Sequence, residues 1–270
     1  MSDADWLGTG VHFTNREQPT DDEYRQLDLA RPEIVSLMGH HGRGVYERIE
    51  QLVAGWLRLP LYLCRVGAGR QDAYGAVNDY RRARAQVPER VLAKGRWWPR
   101  YNNEPNHIDE GWPDDPEGYA ACLAAVAEVC TEPLGLANLT LGRVGESNCK
   151  VRMDWPDYLV RLLQAGVLAR VRWVALSLYG DMADPARLTA YLELGKPLLA
   201  VEYGVPWNRG EERIKWWLWR GRQLQSAGVK GLCVYIVGGE PGGQWPAEYV
   251  LTDDEAAGVA EVGRELCRPF

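Results

Sequence analysis

Eight short apolar runs rich in β-formers recur along the chain: residues 6–13, 33–39, 60–66, 96–104, 133–139, 172–179, 197–203 and 230–237. Between them, apolar positions recur every three to four residues, the period of a helix with one buried face. This pattern is clearest at 43–57, 72–92, 116–132, 154–168, 184–194 and 210–227, and weaker at 21–30 and 253–267. Asp184-Pro185 supplies a capping residue before a first-turn proline, and Gly95, Gly195 and Gly228 follow predicted helix ends. Leu198-Leu199-Ala200-Val201 and Leu232-Cys233-Val234-Tyr235 are apolar without alternation, as strands buried on both faces are. Strand followed by helix, eight times in about 250 residues, predicts an α/β fold: a (β/α)8 TIM barrel. The rival is an open doubly wound sheet, which carries a glycine-rich phosphate loop after its first strand. Gly8-Thr9-Gly10 lies within the first run and no third glycine opens a helix. No linker or charge block divides residues 1–270, so a single domain is expected.

Charge narrows the partners. The chain has 31 Lys+Arg against 37 Asp+Glu, a net charge of −6, and lacks the basic footprint that phosphate backbones or anionic lipid require. Neither nucleic acid nor membrane is an expected partner. Stretches free of charge reach ten residues, as at 118–127, where about 20 are needed to span a bilayer. The acidic start, Met1-Ser2-Asp3-Ala4-Asp5, lacks the basic and apolar regions of a signal peptide. The chain as given reads as cytoplasmic, or as secreted had a leader been trimmed. Six cysteines form no CxxC pair and read as buried thiols. Cys122 and Cys130 on one helix would stand about 12 Å apart, beyond disulfide reach.

Active sites of such barrels lie at the C-terminal ends of the strands. The fourth run closes with Asn102-Asn103-Glu104-Pro105 and the seventh with Glu202-Tyr203-Gly204. Glu104 and Glu202 are 98 residues apart in sequence, three βα units at the observed spacing, which places them across the mouth from each other. Facing carboxylates are what glycosidic cleavage requires, one protonating the leaving oxygen while the other attacks the sugar or activates water. A lone strand-end Glu is better explained by a rim ion pair; the pairing is what points to chemistry.

Asn103-Glu104-Pro105 on strand four and Glu202-Tyr203-Gly204 on strand seven resemble the signature of clan A glycoside hydrolases, retaining (β/α)8 enzymes acting on β-linked sugars. The resemblance implies Glu104 as general acid/base, Glu202 as nucleophile, and Asn103 on the hydroxyl next to the reacting carbon. Tyr179, closing strand six, matches the tyrosine that hydrogen-bonds the nucleophile in many members. An acid working near neutral pH needs a raised pKa, expected for Glu104 from apolar surroundings and the charge on Glu202. Many members close strand two with an arginine, where this chain has Met38-Gly39-His40-His41; Arg65 on strand three stands as a substitute or as a plain ion pair. Strand eight lacks the tryptophan many members place there, and Ser177 stands where some carry a histidine.

Twelve Trp and 13 Tyr against 2 Phe suit half-wet sites where sugar faces stack on rings. Trp112, Trp207 and Trp245 fall in loops after strands four, seven and eight and are candidate cleft residues, whereas Trp97, Trp98, Trp216, Trp217 and Trp219 read as packing. His12 and His40 are candidate donors to substrate hydroxyls. With no HxH, no HExxH and no carboxylate at ligand spacing, neither a metal nor an organic cofactor is expected. The expected activity is retaining hydrolysis of a β-linked oligo- or polysaccharide partner in an open cleft. The alternatives are a catalytically silent carbohydrate-binding barrel and, third, a metal-dependent hydrolase.

Overall fold

The computed structural model describes residues 6–56, 58–146, 150–205, 209–235 and 250–268. Eight parallel strands form a closed barrel in sequence order. They are β1 (Gly8–His12), β2 (Ile34–Met38), β3 (Leu61–Val66), β4 (Trp97–Tyr101), β5 (Gly135–Leu136), β6 (Trp173–Tyr179), β7 (Leu198–Gly204) and β8 (Val229–Val234). Pairing of β1 with β8 closes the ring, through Gly8 to Gly231 and Val11 to Val234.

Around it run α1 (Asp21–Ala30), α2 (Arg43–Val53), α3 (Ala73–Gln86), α4 (Glu89–Ala93), α5 (Pro116–Val129), α6 (Trp155–Gln164), α7 (Thr189–Leu192), α8 (Glu211–Ser226) and α9 (Asp253–Leu266). Capping boxes start α1, from Thr20 to Glu23, and α9, from Thr252 to Glu255. The helix predicted over 72–92 is two helices, because Val87 turns extended ahead of Pro88, which caps α4. The one predicted over 184–194 is a 3₁₀ turn, Pro185–Leu188, leading into the four residues of α7. Among the described residues no helix is long and apolar enough to cross a membrane.

Two apolar clusters sit on either side of the strand ring. The larger packs outward-facing residues such as Val35, Tyr62, Leu176 and Tyr203 against the helices. The smaller fills the barrel itself with Ile34, Leu61, Leu63, Trp173, Ala175, Leu199, Val201 and Cys233. Trp173 is accommodated by Gly135 on the neighbouring strand, where an added Cβ would lie 2.3 Å from the indole. Of the five described cysteines, all free, Cys64, Cys122 and Cys233 are buried as expected, Cys130 is half-buried and Cys267 is exposed. Trp97 and Trp217 are fully buried, while Trp219 is 52% exposed with the Arg220 guanidinium over its ring.

Candidate functional site

Toward the C-terminal ends the inward positions turn polar. On β3 the sequence Leu61, Leu63, Arg65 steps upward along one face; on β4 it is Trp98 and Arg100; on β6 Trp173, Ala175, Ser177 and Tyr179. On β7 a strict alternation would send Glu202 outward, since Leu199 and Val201 already face in. A bulge corrects this: Leu176 pairs with Ala200 but Ser177 pairs with Glu202, leaving Val201 as the extra residue. Two successive β7 side chains therefore face the interior, and the second is the carboxylate.

Glu202 is buried, and its carboxylate is held by hydroxyls. Ser177 Oγ donates to Oε2 at 3.0 Å and the Tyr179 hydroxyl to the same oxygen at 3.1 Å. Arg100, 0% exposed, brings Nη2 to 4.0 Å from Glu202 Oε1. Its other terminal nitrogen donates to Asn103 Oδ1 at 2.8 Å and to Asn138 Oδ1, and Asn138 Nδ2 donates to Ser177 Oγ at 2.5 Å. Arginine, two amides, serine and carboxylate thus form one connected buried network, in which each member restricts the next.

Glu104 follows β4 in a left-handed backbone conformation, φ 33°, two residues after Asn102 at φ 65°. Asparagine tolerates this region; glutamate does so at a cost of about 1 kcal/mol or more, the kind of strain that concentrates at functional sites. Burial pushes the Glu104 carboxyl up to about 8, and charge on Glu202 and then Glu110 pushes the same way, against the hydroxyls of Thr140 and Ser177. The two carboxylates therefore sit in opposed settings: one ringed by donors, the other kept protonated at neutral pH by desolvation and like charge.

Four side chains singled out in the sequence gather here: Glu104, Glu202, Asn103 and Tyr179. His12 joins them at the end of β1. Its Nε2 donates to Asn15 Oδ1 at 3.0 Å, Nδ1 accepts from the Ser36 hydroxyl at 3.3 Å, and its ring lies 4.9 Å from that of Tyr235. Desolvation lowers its pKa, against the pull of Glu202, so the imidazole is neutral near pH 7. His40 does not reach this centre: it is exposed and bonded to the Asn15 carbonyl at 3.0 Å. Arg65 pairs with Glu110 at 2.7 Å instead of with Glu202. Arg100 occupies that place.

Trp112 is not a cleft residue. It is 2% exposed, edge-on to Tyr119 and covered by Arg70, so no indole face remains for a ligand. Trp207 and Trp245 lie outside the described residues. Sequence reasoning missed Arg100, Asn138 and Glu110, whose carboxylate accepts from Asn103 Nδ2 at 3.3 Å. The signal for Arg100 was available, as a charge two residues from Trp98 on the inward side of a buried strand. Among the described residues no three His, Cys, Asp or Glu side chains are grouped to hold a metal ion.

An endo-β-1,3-glucanase of family GH128, subgroup II, from Sorangium cellulosum superposes with a TM-score of 0.62 at 16% identity, covering 94% of this chain and 98% of that one. A GH39 β-xylosidase from Caulobacter crescentus gives 0.63 at 13% identity, over 97% of this chain and 71% of that one. A second GH128 subgroup II endo-β-1,3-glucanase, from Pseudomonas viridiflava, gives 0.58 at 13% identity with 97% of each chain covered. The chain has the fold of these glycoside hydrolase barrels. No protein-family model matches it, and no curated protein matches it in sequence.

Proposed function

We propose that the protein is a retaining glycoside hydrolase acting on β-linked oligo- or polysaccharides. The observation that carries this is the opposed setting of two carboxylates from β4 and β7 within one polar network. Glu202 attacks the anomeric carbon while Glu104 passes its proton to the departing glycosidic oxygen. The sugar is left bonded to Glu202 and the aglycone departs neutral. Glu104, now a carboxylate, takes a proton from water as that water attacks the same carbon, which releases the sugar with retained configuration and restores both groups. Asn103, fixed by Arg100 and Glu110, meets the hydroxyl beside the reacting carbon.

The barrels it superposes on are a β-1,3-glucanase and a β-xylosidase, so β-1,3-glucan and β-xylosides head the substrate panel. Incubation with aryl β-glycosides, β-1,3-glucan, xylan and mannan, beside the Glu202→Gln variant, tests the reading. Sugar release by the parent alone supports it. Sugar binding without release by either form would establish a non-catalytic carbohydrate-binding barrel instead.

A further inference from the structure

Between the loops following β5 and β6 the rim opens into a cleft of about 600 Å³, a volume in the range of small-ligand sites and large enough for more than one sugar ring. Its wall includes Leu141, Trp155 and Ala190. The Trp155 indole is half-buried and lies parallel to the buried Tyr191 ring, centroids 5.3 Å apart and planes 13° from each other, which holds it as a rigid platform. One wall of the cleft is tied to the loop of the candidate acid. Leu141 directly follows Thr140, whose backbone N–H and C=O both bond the side chain of Asn106, two residues after Glu104, at 2.9 Å each.

Arg143 and Arg187 reach this cleft from two different loops. Both are exposed, and neither guanidinium meets a carboxylate among the described residues. Glu146 also lines the cleft, and its Oε2 accepts from the Arg143 backbone N–H at 3.0 Å. A second cleft, of about 490 Å³, opens beside β2 and β3 and differs in this respect. There Arg65 is paired with Glu110 and Arg82 with Asp79, each at 2.7 Å. Of these two clefts, only the one on the Glu104 side sets arginines that meet no carboxylate among the described residues beside an aromatic platform.

We propose that the β5–β6 cleft receives the leaving-group half of the substrate, and that this half carries an anionic sugar, with a carboxylate or sulfate ester held by Arg143 and Arg187 over Trp155. The side of the mouth follows from the role given to Glu104 and rests on that reading, since the group that protonates the leaving oxygen must face the leaving sugar. Guanidinium forks suit both anions, and charge-assisted bonds to them outweigh those to neutral hydroxyls.

The test is a binding titration of the Glu202→Gln protein, which removes turnover from the measurement. Three ligands share one backbone: a neutral β-1,3-gluco-oligosaccharide, the same chain oxidised at C6 to glucuronate, and the same chain sulfated. One or both charged forms should bind about tenfold tighter than the neutral one at low salt, and the advantage should shrink as ionic strength rises. Arg143→Gln with Arg187→Gln should erase the advantage, bringing the charged forms to the affinity of the neutral one; both arginines are exposed and meet no carboxylate among the described residues, so the fold does not depend on them. The better charged form identifies the anion. Equal binding of all three, absence of binding, or an advantage that survives the double substitution would overturn the proposal. Hydrolysis of the neutral chain by the parent, and its loss in Glu202→Gln, is scored separately, so the catalytic reading can stand while this one falls.

Discussion

The lower and upper halves of the barrel interior are built by the same strands and obey opposite rules. Below, Ile34, Leu63, Ala175, Leu199 and Cys233 interlock in a plug without a charge. Two or three residues further along those strands stand Ser36, Arg65, Ser177 and Glu202, with Arg100 arriving from β4. The plug gains from burial alone. The upper layer buries a guanidinium and a carboxylate whose desolvation is only partly offset by their partners, and it keeps Arg100 Nε and Nη2 without a hydrogen bond. Glu104 adds a left-handed backbone and a carboxyl forced toward its neutral form. Stability is concentrated in the plug, and the upper layer holds charges poised at some cost to it.

Substitutions should separate the two halves. The largest effect belongs to Glu202→Gln: kcat on an aryl β-glycoside should fall by at least about 10³-fold, with the melting temperature kept or raised. A variant retaining a tenth of activity would remove Glu202 from the mechanism. Leu63→Ala, in the plug, should do the reverse, costing about 3 kcal/mol in denaturant titration while kcat per folded molecule stays within about twofold.

Arg100→Met tests the upper network, and kcat should drop about 10²-fold with a smaller change in KM, because Asn103 and Asn138 lose their common donor and Asn138 holds the serine that bonds Glu202. A merely structural Arg100 would lower stability while leaving kcat per folded molecule unchanged.

The smallest effect is on stability at alkaline pH. The Glu104 carboxyl is raised in the folded chain to about 8 from an ordinary 4.5. Its penalty is therefore absent below about pH 4.5, grows as pH rises, and is complete above 8, where the buried group must ionise. Glu104→Gln should leave stability unchanged at pH 4 and raise it by about 2 kcal/mol at pH 9, less than the full shift implies because Glu104 is half-buried and solvent screens part of the penalty. Equal effects at both pH values would contradict the raised value. The same group predicts that parent activity declines above about pH 8.

The barrel was legible because continuous apolar strands and amphipathic helices alternate with glycine and proline at their ends, and each signal is local. The polar layer was legible only where residue type and strand end coincide, as for Glu104, Glu202, Asn103 and Tyr179. Asn138 was hidden because β5 is two residues long, so its position relative to the strand end has no local signature. The bulge that turns Glu202 inward is a matter of register between β6 and β7, which no pattern within β7 reveals. Trp112 misled because a loop position suggests exposure, while packing on Tyr119 and under Arg70 decided otherwise.

The most direct measurement is covalent trapping. The protein is incubated with a 2,4-dinitrophenyl 2-deoxy-2-fluoro-β-glycoside of whichever sugar the panel shows to be cleaved, and its intact mass and peptides are then read. The fluorine slows both chemical steps and the activated leaving group restores only the first, so a glycosyl-enzyme should accumulate. The account predicts a mass gain of one fluorosugar on the peptide containing Glu202, absent in Glu202→Gln. An adduct on another residue, or hydrolysis of the parent glycoside with no adduct on Glu202, would contradict it.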